Sequence, residues 1–234
     1  MAGPAAASRS PLWRGAAPDP PPEARDVFGP GLPVAEEYVR LLAGAGVAQG
    51  LLGPREVPRL WSRHVLNCAA VAELVPHPAA PHLAPPHLAT LVDLGSGAGL
   101  PGIVLALLLP DVQVILLERM ERRAAFLQEC VRVLGLRNAL VRCGRAEDLA
   151  GQIAADVVTA RAVAPMERLA GLALGLARPG GLVLAIKGAG AEDEVARAGP
   201  ELRRLGVGDV TVLRVGGGKV DRAATVVRLI AGGH

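Results

Sequence analysis

The sequence predicts an α/β protein built on a doubly wound, mostly parallel sheet, and three observations carry that expectation. From residue 90 onward, short apolar runs alternate with segments of helical period, the order that lays parallel strands beneath covering helices. One apolar run ends at Asp93 and passes at once into Gly95, Gly97 and Gly99, before a helix-like stretch from Ile103 to Leu109. The chain closes on two strand-like runs, 209–215 and 223–230, flanking Gly216-Gly217-Gly218, which read as an antiparallel hairpin.

Taken in order, residues 1–33 hold eight prolines, many alanines and no periodicity, and are expected to be a disordered tail. A helix is expected over 34–45, with Val34, Tyr38, Leu41 and Leu42 on one face. Gly53-Pro54 breaks it. Pro58 sits where a first helical turn tolerates proline, and Trp61, Val65, Cys68, Ala72 and Val75 follow at helical spacing. Arg55, Arg59 and Arg63 share a different face. Pro76 to Pro86 reads as a proline-rich linker. Residues 34–89 therefore form an N-terminal helical extension, and 90–234 the main domain. There, strand 90–94 leads to helix 100–109, strand 112–118 to helix 120–134 closed by Gly135, and strand 139–143 to a short helix near 147–153. Strand 156–160 precedes helix 165–177. Arg178-Pro179-Gly180-Gly181 turns into strand 182–187, and a charged helix spans 191–205 before the hairpin.

Composition narrows the class. At 234 residues the chain suits one α/β domain with an extension. Half its residues are apolar, yet few are aromatic, so the core must rest on Leu, Val and Ala. No apolar run approaches the length needed to span a bilayer, and no signal pattern opens the chain; a cytoplasmic protein is expected. Cys68, Cys130 and Cys143 are scattered and read as buried thiols, and neither they nor the five histidines show metal-ligand spacing. The net charge is +3, and Lys187 and Lys219 are the only lysines beside a large excess of arginine. Arginine suits phosphate forks and base stacking, although a GC-rich genome would supply the same bias.

The glycine turn is a nucleotide-binding element, because glycines admit positive φ and close approach while a helix N-terminus adds unpaired N–H groups. Two registers overlap. Gly97-x-Gly99-x-x-Gly102 fits the dinucleotide fingerprint, and Asp93-x-Gly95-x-Gly97-x-Gly99 fits the turn of the S-adenosylmethionine (SAM) methyltransferases. A carboxylate at the strand end repels a pyrophosphate but suits an ammonium and a sulfonium, which favours SAM. The closing hairpin also matches the sheets of SAM methyltransferases.

Ligands of such sheets sit at the carboxyl ends of the strands. Glu118 ends the second strand, where it is placed to accept both ribose hydroxyls; its bland alternative is a helix cap or an ion pair with Arg122. Gly144-Arg145-Ala146-Glu147-Asp148 lies where an adenine edge would, or is a plain acidic helix start. Arg161 ends the fourth strand and Lys187 the fifth. Two cations on that rim suggest an anionic substrate such as nucleic acid. The chain has no Asn-Pro-Pro-aromatic run for an exocyclic amine and no Pro-Cys for pyrimidine attack. Guanine N7 needs neither, since its in-plane lone pair attacks without a general base. His64 is either a satisfied, half-buried histidine or a group that touches RNA or orients Asp93. Arg119, Arg122 and Arg123 either grip phosphates or solvate a helix.

On these residues the chain resembles the RsmG/GidB family of small-subunit rRNA guanine-N7 methyltransferases. The matching pieces are Asp93-Leu-Gly-Ser-Gly-Ala-Gly-Leu-Pro-Gly102, Leu117-Glu118, Arg145-Ala-Glu147, Ala160-Arg-Ala162, Lys187-Gly188 and Trp61-Ser-Arg-His64, across roughly residues 34–230. It departs where the family often carries an Asp, here Asn67, and a Ser or Thr, here Ala160. The resemblance implies a seven-stranded sheet of the class I SAM methyltransferase type and a cytoplasmic enzyme; a monomer is expected. It implies transfer of a methyl group from SAM to N7 of a guanine in the decoding-site loop of 16S rRNA, acting on the rRNA or the small subunit without metal or membrane. Asp93, Gly95, Gly97, Gly99, Leu100, Glu118, Ala146, Glu147 and Arg161 are the expected cofactor-binding residues, and Arg161 and Lys187 the expected catalytic pair. The alternatives are an NAD-dependent oxidoreductase and a non-catalytic SAM-binding factor of the small subunit.

Overall fold

One mixed seven-stranded sheet organises the computed structural model, which describes residues 15–76, 89–217 and 223–232. Its strands are β1 (Thr90–Leu94), β2 (Gln113–Glu118), β3 (Ala139–Cys143), β4 (Ala155–Arg161), β5 (Ala177–Lys187), β6 (Asp209–Val215) and β7 (Ala224–Ile230). They lie in the order β3-β2-β1-β4-β5-β7-β6. The first five pair in parallel, while β7 runs antiparallel to β5 and to β6. The expected class I methyltransferase fold is therefore present. An antiparallel strand inserted beside β5 also separates this sheet from the six-stranded 3-2-1-4-5-6 order of simple dinucleotide folds.

Side chains alternate between the faces of each strand, and the two cores follow. Leu91, Val114, Leu116, Val157 and Val226 enter one cluster, and Val92, Leu117, Val158 and Val227 the other. The first face is covered by α4 (Gly102–Leu108), α5 (Glu121–Leu134) and the N-terminal helices. The second is covered by α6 (Ala146–Leu149), α7 (Met166–Leu174) and α8 (Ala191–Arg204). Gly135 ends α5 at φ 66°, and α8 carries Glu192, Asp193 and Glu194 in its first turn and Arg203 and Arg204 in its last, which complements the helix dipole.

The N-terminal region differs from its sequence reading. Residues 15–33 are not a disordered tail: Pro22–Phe28 forms α1, and Leu32–Leu41 forms α2. Proline at the first helical position loses no hydrogen bond. Trp61 Nε1–H donates to the Pro18 carbonyl at 3.0 Å, and the Phe28 ring meets Trp61 edge-on at 6.2 Å. Ala24 and Phe28 are buried. Apolar anchoring of this kind outweighs proline content as a signal. The expected single helix around Trp61 is instead a relay of 3-10 turn (Pro54–Arg59), π turn (Leu60–Val65), α3 (Leu66–Ala69) and a second 3-10 turn (Ala70–Leu74). The expected disorder of 1–14, the linker at 77–86 and Lys219 lie outside the described residues.

Two smaller differences concern the sheet. Arg178–Gly181 is not a turn before β5 but a bulged part of it, with a register shift between Ala155 and Val157. Cys68 and Cys130 are buried as expected, but Cys143 is exposed, because β3 is the sheet edge. Among the described residues, no helix is long and apolar enough to cross a membrane.

Candidate functional site

A cavity of about 260 Å3 opens at the carboxyl ends of β1, β2, β3 and β4, the position where doubly wound sheets bind ligands. Gly95, Glu118, Ala146 and Glu147 line it, as the sequence suggests. Val163, Arg119, Arg123, Arg145, Arg168 and Leu172 line it as well. The structure brings these four expected residues together, and it gives most of the others a different task.

The turn after β1 takes the left-handed conformation that its glycines anticipate, with φ of 68°, 57° and 95° at Gly95, Gly97 and Gly99. At Gly95 the close neighbour is protein: a Cβ there would lie 2.9 Å from Val163 Cγ2. The loop after β4 thus folds onto the turn and narrows the cavity mouth. Ala162 in that loop is itself left-handed, at φ 53°. Gly99 and Leu100 are buried against the core and do not line the cavity.

Asp93 does not face the cavity. It is 1 % exposed. Ser96 Oγ–H and the Gly102 N–H donate to its Oδ2 at 2.5 and 3.0 Å, and Thr159 Oγ1–H donates to Oδ1 at 3.3 Å. The carboxylate staples the glycine turn to the start of α4 and to β4. Burial pushes its pKa up to about 6, against the pull of those hydrogen bonds. Gly102 makes the staple possible, since a Cβ there would lie 2.6 Å from Asp93 Oδ2 and would overlap Leu116 Cδ2. From the N-terminal region, the buried Tyr38 hydroxyl donates to the Ala98 carbonyl at 2.8 Å and pins the same turn from outside the sheet. Burial raises the Tyr38 pKa well above its ordinary value.

Glu118 lines the cavity with its carboxylate already oriented. The Gly97 N–H donates to Oε2 at 3.0 Å and the Met120 N–H to Oε1 at 2.9 Å. Each oxygen keeps a second acceptor site for a ligand hydroxyl. Arg122 does not pair with it; its Nη2–H donates to the Gln49 carbonyl at 2.7 Å. Glu147 is exposed at the start of α6, with Arg145 Nη2 at 3.4 Å from Oε1. Its carboxyl is held below the usual range, first by a backbone N–H and then by Arg145.

Arg161 and Lys187 do not form a pair of rim cations. Lys187 Nζ donates to Glu194 Oε1 at 2.7 Å and to the Ala164 carbonyl at 3.0 Å, and the Met166 N–H donates to the same Glu194 oxygen at 2.7 Å. The lysine latches α8 to the start of α7, and Glu194 is the partner the sequence reading missed. Arg161 turns toward the N-terminal region. Its Nη1–H donates to Cys68 Sγ at 3.2 Å, and its Nη2 reaches His64 Nδ1 at 2.8 Å and the Arg63 carbonyl at 3.4 Å. The guanidinium only donates, so Nδ1 of His64 must be the bare acceptor. His64 Nε2 then carries the proton and donates to Glu56 Oε2 at 2.8 Å. Burial holds the His64 pKa down, against the pull of Glu56, and the imidazole is neutral. His64 is therefore a satisfied, buried histidine, and it neither meets Asp93 nor faces outward. Of the arginine stripe beside it, Arg59 and Arg63 lie within 3.6 and 3.2 Å of Glu56 Oε1.

Thr159, Tyr38, Cys68, Glu56 and Glu194 were not singled out for the site. Thr159 has the only legible signal, as a hydroxyl in the apolar strand next to Asp93. Tyr38 and Cys68 act across long sequence separations, and Glu56 and Glu194 lie eight and seven residues from His64 and Lys187 with no local pattern to mark the pairing.

Comparison with known proteins bears on what this site serves. A family model described as rRNA small subunit methyltransferase G matches residues 32–222. A protein of Thermobifida fusca named ribosomal RNA small subunit methyltransferase G is 55% identical over 210 residues, covering 90% of this chain and 84% of that one. A Streptomyces avermitilis protein of the same name is 50% identical over 216 residues, covering 92% and 87%. Among solved structures, one described as a predicted O-methyltransferase from Agrobacterium tumefaciens aligns with a TM-score of 0.53 at 20% identity, over 73% of this chain and 82% of that one; it speaks for the fold alone.

Proposed function

We propose, because the chain belongs to the rRNA small subunit methyltransferase G family, that it transfers a methyl group from SAM to N7 of a guanine in the decoding-site loop of 16S rRNA, in the cytoplasm. The observation that carries the reading is the convergence of Gly95, Glu118, Ala146 and Glu147 on one cavity at the strand ends. The donor and acceptor set there fits SAM. Glu118, held by two backbone N–H groups, takes ribose hydroxyls. The Gly144–Glu147 segment meets the adenine edge, and exposed Gly95 presents its backbone to the amino-acid end. When bound, SAM supplies an electrophilic methyl on a cationic sulfur.

The protein's part is then mostly alignment. Guanine N7 attacks through an in-plane lone pair, so no side chain must remove a proton, and the two carboxylates that line the cavity, Glu118 and Glu147, are left to the cofactor. Holding two reactants in line is worth on the order of 7–11 kcal/mol. Three donor contacts of Arg161 are spent inside the protein, leaving Nε–H and one Nη1 hydrogen for the substrate at the end of β4. Arg119, Arg123, Arg145 and Arg168 around the cavity suit a polyanion. Incubation with methyl-labelled SAM and small-subunit RNA from cells lacking this gene, followed by mapping of the modified base, tests the proposal. Label on guanine N7 is expected. Label on an exocyclic amine, a ribose or a protein, or no transfer at all, would overturn it.

A further inference from the structure

We infer that His64, backed by Glu56, is a positioning residue that fixes the guanidinium of Arg161. The inference rests on the proposed role of Arg161 at the substrate. An arginine at a strand end has four freely rotating side-chain torsions, and a guanidinium that must present two particular N–H groups has to be held on its other edge. Among the described residues that edge is held from the N-terminal region, by Cys68 Sγ, the Arg63 carbonyl and His64 Nδ1. The His64 contact is the shortest of the three, at 2.8 Å, and its in-plane ring-nitrogen lone pair is a stronger and more directional acceptor than the thiol sulfur of Cys68. Cys68 cannot serve instead as a charged anchor, since burial pushes its thiol up to about 11.

The histidine can accept from Arg161 only in one tautomer, and Glu56 selects it by accepting the hydrogen bond from Nε2–H at 2.8 Å. Glu56 lies in the 3-10 turn, His64 in the π turn and Arg161 on β4. The relay therefore links the helical region to the strand end where substrate is proposed to meet cofactor. Its logic is directional: acceptor capacity toward Arg161 matters at Nδ1, and donor capacity toward Glu56 matters only because it keeps Nδ1 bare.

Side-chain amides separate these two roles. Asn at position 64 places its oxygen near the Nδ1 position, whereas Gln places its polar atoms near Nε2. Steady-state methyl transfer to small-subunit RNA is measured for H64A, H64N, H64Q, E56A, E56Q and R161A, with SAM affinity and thermal midpoint alongside. Expected is a roughly ten- to hundredfold fall in kcat for H64A, the scale of a reacting group displaced by about an ångström, with the KM for SAM nearly unchanged. H64N recovers most of that loss and H64Q does not. E56A falls with H64A, while E56Q, which keeps an acceptor for Nε2–H, stays near the parent. Equal behaviour of H64N and H64Q at matched thermal midpoints would overturn the inference, as would full kcat in H64A when R161A is inactive. Full kcat in R161A would instead remove the role proposed for Arg161 itself.

Discussion

Replacing Asp93 with Asn tests whether its carboxylate is a staple or a cofactor contact. In the folded protein the group is buried and its pKa is raised to about 6 from an ordinary value of 3.8. A folded-state pKa above the unfolded one means that the folded protein holds this proton more tightly. The resulting stability is fully present below about pH 4 and is lost as pH rises through about 6. The interval corresponds to about 3 kcal/mol at neutral pH. Asn cannot ionise, and its geometry meets the same partners: Oδ1 accepts from Ser96 Oγ–H and Gly102 N–H, and Nδ2–H donates to Thr159 Oγ1. Asp93→Asn should therefore match the parent near pH 4 and exceed it at pH 7.5 by up to about 3 kcal/mol, or about 6–12 °C in Tm for a chain of this size. Denaturant titrations of both proteins at the two pH values read the difference. SAM affinity, by calorimetry, should change less than about threefold, since 1 % exposure keeps the charge out of the cavity. A variant less stable than the parent at pH 7.5 would show that hydrogen bonds to the charged carboxylate outweigh its burial. A tenfold loss of SAM affinity would return Asp93 to the cofactor.

Gly102→Ala should lose about 1–3 kcal/mol or more in denaturant titration, the cost of overpacking, because the new Cβ meets Asp93 and Leu116; unchanged stability would refute the staple geometry. Tyr38→Phe removes the hydroxyl that pins Ala98. A loss of about 1 kcal/mol should come with weaker SAM binding, and intact binding would show that the turn holds itself. Lys187→Met breaks the contact with Glu194 and should cost about 1–3 kcal/mol while leaving methyl transfer within a few fold. Full stability with abolished transfer would restore Lys187 as a substrate cation.

The sheet was legible because strands and helices from residue 90 onward alternate with clean periods, and because burial on both faces of a parallel sheet writes itself as continuous apolar runs. The N-terminal helices were not, since proline and alanine conceal an anchoring that depends on Trp61, a residue 43 positions from its partner Pro18. Within the site, the family resemblance named Ala146 and Glu147, and position at the strand ends pointed to Gly95 and Glu118. It could not tell a residue facing the cavity from one folded under it. Asp93 and Lys187 carry the right charge at the right strand ends, yet both are consumed by protein partners. Arg161 finds its partners 93 to 98 residues away, a distance no motif spans.

The shared core beneath α4, α5 and the N-terminal helices also sets an order of events during synthesis. Phe28, Trp61, Val65 and Val75 belong to the same buried cluster as Val215, Ala224 and Val226. At translation rates of about 5–20 residues per second, the intervening roughly 150 residues take about 8–30 s to emerge. Phe28 and Trp61 cover one another within that region, but the 3-10 turn at Ala70–Leu74 meets β6 and β7, so it must wait that long for its last partners.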